Sequence, residues 1–220
     1  MTEATWQPSL FTDVSDGYKV EQIKTSDAHP FLLEVHYAKR IPSITFAFGL
    51  IYGHDLVGVV TYGTPPSSTL CRGICGDKYQ SDVLELNRLV LIHNRKNEAS
   101  ILVGRSMAML PRPKIIVSFA DTAQKHFGCV YQATNFLYTG LSARFLDPQV
   151  KGLEHQHHAT YAHGLTNQQV IDKYGAENVT FIERSRKHRY VRFVGNRSQV
   201  KEMKRNLQYP VLPYPKPNND

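Results

Sequence analysis

Two apolar runs, residues 45–52 and 56–62, are parted by only Gly53, His54 and Asp55. A link that short joins two strands as an antiparallel hairpin. A further strand-like run follows at residues 83–92, and then a helical stretch over 98–110, opened by Asn97 and halted by Pro111. Residues 115–119 (IIVSF) read as another buried strand, and from His126 the spacing turns helical again. Hairpin, strand, helix, strand, helix in that order predicts an α+β fold with a central mixed, mostly antiparallel sheet flanked by helices. With 220 residues the chain is long enough for one full core, and a single domain over residues 1–210 is expected.

Outside that frame the signals are shorter. Tyr18, Val20 and Ile23 alternate as an edge strand would, and residues 31–39 have helical spacing with Pro30 near their start. The stretch holding Pro65, Pro66, Ser67, Ser68, Gly73 and Gly76 reads as a loop. Thr166 and Gln169 form a capping box ahead of a short helix that Gly175 closes. Residues 179–183 and 190–194 read as strands around a basic turn, forming a C-terminal hairpin that is followed by a basic helix over 197–207. From Tyr209 onward, prolines 210, 213, 215 and 217 predict an extended tail, disordered over 211–220.

Charge is segregated. The formal net charge is +7, yet residues 184–205 hold nine Lys and Arg against the single acid Glu202, leaving the rest of the chain near −1. A basic segment interleaved with Tyr190 and Phe193 suits a phosphate backbone, with Arg186, Lys187, Arg189 and Arg192 as the contacts; the same pattern also suits a solvated hairpin face. Cys71, Cys75 and Cys129 are an odd set in a chain whose first residues form no apolar signal run, which predicts reduced loop thiols and a cytoplasmic protein. No apolar run is long enough to span a bilayer, so no membrane partner is expected. His155, His157, His158 and His163 cluster in a loop; neighbouring His157 and His158 do not easily face one ion, which favours a loop near substrate or solvent over a metal site.

The most chemical stretch is residues 118–140, SFADTAQKHFGCVYQATNFLYTG. Asp121 falls just past the C-terminal end of a strand, where open sheets place reacting groups. Phe127, Val130, Tyr131, Thr134 and Tyr138 recur on one helical face, with Gln132 and Asn135 on another and Gly140 as the stop. An ordinary strand, turn and helix with a turn-forming Asp and core tyrosines fits the same spacing.

That stretch resembles the Mom family of bacteriophage DNA-modification proteins, and so do residues 35–43 (VHYAKRIPS), 46–63 (FAFGLIYGHDLVGVVTYG) and 85–104 (ELNRLVLIHNRKNEASILVG), in the same order. The resemblance implies the GNAT acetyltransferase fold and a transferase that converts adenine N6 in double-stranded DNA to its carbamoylmethyl (acetamido) form, shielding phage DNA from host restriction enzymes in the host cytoplasm. The residues that match are His36, Tyr37, Glu85, Asn87, Arg88, Ser118, Asp121, Tyr131, Asn135 and Tyr138. Adenine N6 is a poor nucleophile, so a base must assist it; Asp121 is the first choice and Glu85 the second. Tyr37, Tyr131 or Tyr138 would stack on a displaced base, Asn135 and Gln132 would meet its edge, and Arg88 would hold a phosphate or carboxylate, or else form a structural salt bridge with Glu85.

The fold also implies acetyl-CoA or a related acyl donor at Leu89, Val90, Leu91, Asn97, Ala99, Ser100 and Gly104, with Arg95 and Lys96 adding charge. The usual pair of close glycines is replaced here by NRKNEASILVGR with its single Gly104, and an ordinary capped core helix reads equally well. The family's link to iron implies a ligand set of His36, Tyr37 and Asp121; a histidine before a tyrosine also serves as a packing residue. Two other classes remain open: an acetyltransferase for a small amine, peptide or tRNA-linked substrate, and a nucleic-acid-binding protein without catalysis.

Overall fold

The computed structural model describes residues 17–156 and 158–216, which fall into two compact units. The first unit gathers residues up to Phe119, Gly128–Gly140 and those from Arg189 on; the second gathers Ala120–Phe127 and Leu141–His188.

A seven-stranded sheet organises the first unit. Its strands are β1 (Tyr18–Gln22), β2 (Phe46–Tyr52), β3 (Asp55–Gly63), β4 (Val83–Leu91), β5 (Lys114–Asp121), β6 (Leu137–Leu141) and β9 (Lys187–Val194), in the order β1-β2-β3-β4-β5-β9-β6. β1 through β4 pair antiparallel, as the short Gly53–His54 link requires, while β4 and β5 run parallel around α3 (Glu98–Met109). The expected mixed, mostly antiparallel sheet with flanking helices is therefore the fold of this unit.

Two packed faces hold that sheet. On one, Ala28 of α1 (Thr25–Pro30) and Leu32 join Ala47, Val59 and Val90. Helix formation begins earlier than the Phe31 start that the spacing predicts: α1 runs into a π-helical turn over Phe31–Val35, and the chain becomes extended at His36. A second cluster on that same face packs Ile74, Cys71, Cys75 and Tyr79 with Ile115, Val117, Val191, Phe193 and with Met203 of α7 (Arg197–Arg205), while the opposite face packs on α3, whose Ser106 bonds the Tyr62 hydroxyl.

The expected loop between β3 and β4 is in fact largely helical, with α2 spanning Ser68–Cys75. The Ser67 side chain caps it by accepting from the Leu70 amide, and Leu70, Cys71, Ile74 and Cys75 form an apolar stripe that the Pro and Gly count hides. Cys71 and Cys75 are thus buried free thiols on a helix; burial pushes the Cys75 thiol up to about 11.

The second unit contains the ribbon of β7 (Leu146–Val150) and β8 (Val179–Glu183), with α5 (Ala159–Ala162) and α6 (Asn167–Tyr174), the latter closed by the expected Thr166–Gln169 capping box. Val150, Ala162, Val170 and Val179 form its core. β8 pairs with β7 and β9 joins the large sheet, so the expected C-terminal hairpin does not form. The tail is extended, and through residue 216 it is held: the Leu212 amide donates to Tyr138, the Tyr214 hydroxyl to Phe136 O, and Gln132 to Pro215 O. Residues 217–220 lie outside the described part.

Candidate active site

The helix expected from His126 is short. α4 covers Cys129–Ala133, because Gly128 (φ 73) before it and Asn135 (φ 60) after it both take left-handed backbone, and Phe136, Leu137 and Tyr138 then enter β6. Tyr131 stays on the helix and Tyr138 moves to a strand, but both rings meet Tyr190, at 5.2 and 5.3 Å between centroids. Tyr190 is fully buried, accepts from Gln132 Nε2 at 3.2 Å, and burial raises its hydroxyl to about 12. Gly128 is needed for this contact, since a Cβ there would lie 2.5 Å from the Tyr190 ring.

β4 carries the next part of the site. Its parallel ladder with β5 runs from Val83–Ile115 to Glu85–Val117 and ends there, so Leu89, Val90 and Leu91 keep only β3 as a strand partner. Where the two strands part, Ser118 Oγ donates to Leu86 O at 2.9 Å and takes part in a hydrogen bond with Tyr131. Burial raises the Tyr131 hydroxyl's pKa, the Ser118 bond lowers it, and Tyr37 and Glu85 add to the rise. Asn87 sits at a bulge against Thr61–Tyr62, accepting from Thr61 at 2.6 Å and donating to Ser43 O at 2.7 Å. It is a brace that ties the segment after His36 to the sheet. Gly63 permits the approach, because any Cβ there would collide with the Ser43 carbonyl.

That brace brings His36, Tyr37 and Arg40 to Arg88. Burial first, and the Arg88 charge second, lower His36 from 6.5 to about 4, so its imidazole is neutral near pH 7. Its Nδ1 accepts the Ala38 amide at 3.0 Å, which puts the ring proton on Nε2 as a donor. Tyr37 stacks on this ring at 4.4 Å and is 61% exposed. Arg88 donates to Asn87 O at 2.6 Å, while its Nε is buried with no partner among the described residues. Burial and the neighbouring Arg40 lower the Arg88 pKa, and Tyr37 and Glu85 act in the other direction. Such a guanidinium is prepared for an anionic or carbonyl oxygen from a ligand. His36, Tyr37, Glu85, Arg88, Ser118 and Tyr131 thus form one electrostatically linked cluster, every member of which sequence reasoning named, whereas Arg40 beside Arg88 was not named; the buried Tyr190 behind Tyr131 was legible only as an aromatic in a basic segment.

Asp121 belongs to the second unit and is fully engaged there. Its Oδ1 accepts from Ala123 N at 3.0 Å and from Ser185 Oγ at 2.8 Å, and Lys187 Nζ stands 3.6 Å from Oδ2. The iron ligand set does not fit these surroundings. His36 Nδ1 is occupied and its ring faces a guanidinium, Asp121 is held by Lys187, and no group of three His, Cys, Asp or Glu among the described residues can hold a metal ion. In the histidine loop, His158 lies 3.4 Å from Asp147 and within 3.1 Å of Arg184, while His157 lies outside the described residues.

At the expected cofactor site, Asn97 caps α3 by backbone shape (φ 69) and not through its side chain. Glu98, fully buried, accepts from Tyr18 OH and from the Arg95 amide just ahead of the helix. Ser100 Oγ donates to Asn97 O at 3.0 Å, and Arg95 and Lys96 are exposed just before the helix. The four basic residues expected to meet DNA all have internal partners: Arg186 donates to Ser142 O, Lys187 faces Asp121, Arg189 donates to Thr139 and covers the Tyr209 ring at 3.4 Å, and Arg192 donates to Asn135 O.

The model of the Mom protein family matches residues 17–216. The chain belongs to that family. A curated relative, methylcarbamoylase Mom of Escherichia phage Mu, is 26% identical over 208 residues, which is 92% of this chain and 85% of the relative. Among solved structures, an acetyltransferase from Salmonella typhimurium with acetyl-CoA is similar at TM-score 0.46 and 9% identity, covering 84% of this chain and 98% of that one. A Bacillus subtilis acetyltransferase in complex with CoA gives TM-score 0.45 and 14% identity, over 79% of this chain and 97% of its own. The family match runs through the His36, Glu85 and Tyr131 segments alike.

Proposed function

We propose that this chain is a DNA-modifying transferase that places a carbamoylmethyl group on adenine N6, as its membership of the Mom family and its methylcarbamoylase relative suggest. The observation that carries the reading is the exposed Tyr37 ring stacked on a neutral His36 beside the unpaired Arg88 Nε. An adenine turned out of the duplex stacks on Tyr37, a contact that contributes about 1–3 kcal/mol. The His36 Nε2 proton donates to a ring nitrogen or a carbonyl, and a neutral imidazole does this without bringing charge. Forming a bond to N6 releases a proton from that amine, and Glu85 accepts it, since its charge reaches both Arg88 and Tyr131. The Ser118–Tyr131 pair holds a hydroxyl at the splay of β4 and β5.

A coenzyme A thioester, held at Asn97, Ala99 and Ser100, would deliver an acyl group to an amine with free thiol leaving; the carbamoylmethyl group is joined to N6 through its methylene carbon, so the immediate donor to N6 bears its leaving group on that carbon. Asp121, fixed by Ser185 and Lys187, is assigned to ordering residues 120–127 and 185–187. The protection of phage DNA from restriction follows from the same modification.

The test is mass spectrometry of nucleosides from DNA of cells expressing the chain, Glu85→Gln or Asp121→Asn. A heavier adenosine from the wild type, lost in Glu85→Gln and retained in Asp121→Asn, is the expected result. Loss in Asp121→Asn alone would return the base to Asp121. Unmodified adenosine throughout, with thiol released from acetyl-CoA on adding a free amine, would replace the reading with a small-amine acetyltransferase.

A further inference from the structure

A cavity of about 790 Å³ lies in the first unit between α3, the end of β9 and α7. None of His36, Tyr37, Glu85, Arg88, Ser118 or Tyr131 lines it; Ser100 and Gly104 do, whereas Asn97, Ala99 and Leu89 do not. Four cations do line it, Arg105, Arg112, Arg192 and Lys204, and no Asp or Glu. Their hydrogen bonds go to neutral carbonyls: Arg105 to Tyr18 O at 2.7 Å, Arg112 to Ala108 O at 3.5 Å, and Arg192 to Asn135 O at 3.0 Å. Among the described residues none of the four forms an ion pair. Phe193 and Tyr214 supply aromatic wall, and Tyr214 is fixed there by its bond to Phe136 O.

Like charges gathered around one space repel, and partly burying Arg192 adds a desolvation cost that lowers its pKa. Carbonyl dipoles offset part of that cost, and an anion placed among the four would offset more. We infer that this cavity is a second ligand site, taking a phosphate-bearing group against its aromatic wall. Such a group is either a free pyrophosphate-containing small molecule or a phosphate of the DNA backbone. The inference does not depend on the chemistry assigned to the Arg88 cluster.

Lys204 reports on the cavity directly. An amine-acylating reagent followed by peptide mass spectrometry gives its reaction rate, with Lys201 on the same helix, which does not line the cavity, as the internal reference. Saturating inorganic pyrophosphate should slow Lys204 by about fivefold or more and leave Lys201 unchanged. Arg112→Ala, at an exposed residue with one long hydrogen bond, should weaken that protection in a folded protein. If a short DNA duplex protects Lys204 as pyrophosphate does, the phosphate is the backbone's; if only pyrophosphate protects, it is a free ligand's. Equal slowing of Lys201 by pyrophosphate, or no slowing of Lys204 by either probe, would overturn the inference.

Discussion

His36 is held neutral by two causes of unequal size, burial and then the Arg88 charge, which set its pKa near 4 against 6.5 in an open chain. Between those two values the unfolded chain binds a proton that the folded one does not. Its contribution to stability is therefore complete above about pH 6.5 and is lost as pH falls toward 4. His188, lowered by burial alone, acts in the same direction. Denaturant midpoints at pH 7 and pH 5 should fall further in the wild type than in His36→Gln, which keeps His188. An equal fall in both proteins would show that His36 titrates normally. The same neutral state gives activity no inflection from His36 near pH 6.5.

At the level of elements, the turns around α4 decide the site. Gly128 takes φ 73, and a Cβ there would lie 2.5 Å from Tyr190 and 3.0 Å from Tyr131. Gly128→Ala should cost roughly 1–3 kcal/mol in stability and displace Tyr131, read as a lower melting temperature with a disproportionate loss of modified adenosine. A variant of unchanged stability and activity would mean that Tyr131 does not need this seat. The strands of the large sheet were legible because apolar runs with glycine turns between them allow little else. α2 was not, since Pro65, Pro66, Gly73 and Gly76 outweigh an apolar stripe only eight residues long. Periodicity also carried α4 too far, since Tyr138 matches a helical face and only the left-handed Asn135 turns it into β6. Of the site, His36, Tyr37, Glu85, Arg88, Ser118 and Tyr131 were readable from motif. That β4 and β5 part after Glu85, and that Asp121 is tied to Ser185 and Lys187, depend on pairings far apart in sequence.

Across the whole molecule, the charge total of +7 rests on residues 184–205, yet these cations are not equivalent toward DNA. Arg189 and Arg192 are partly buried and bonded to Thr139 and Asn135, so removing them costs stability along with charge. On α7, Arg197 and Lys201 are exposed, while Glu202 of the same helix is paired with Lys78. Exposed cations free to meet phosphate release counterions on binding, and each contact steepens the dependence of log affinity on log salt by about 0.9. Arg197→Ala with Lys201→Ala should therefore flatten that slope by about 1.8 at unchanged melting temperature, measured by fluorescence anisotropy on a short duplex over a salt series. Arg189→Ala with Arg192→Ala should lower the melting temperature first. If instead the α7 pair leaves the slope untouched, the DNA runs along another face, and the cations that matter are those still carrying the slope in that variant.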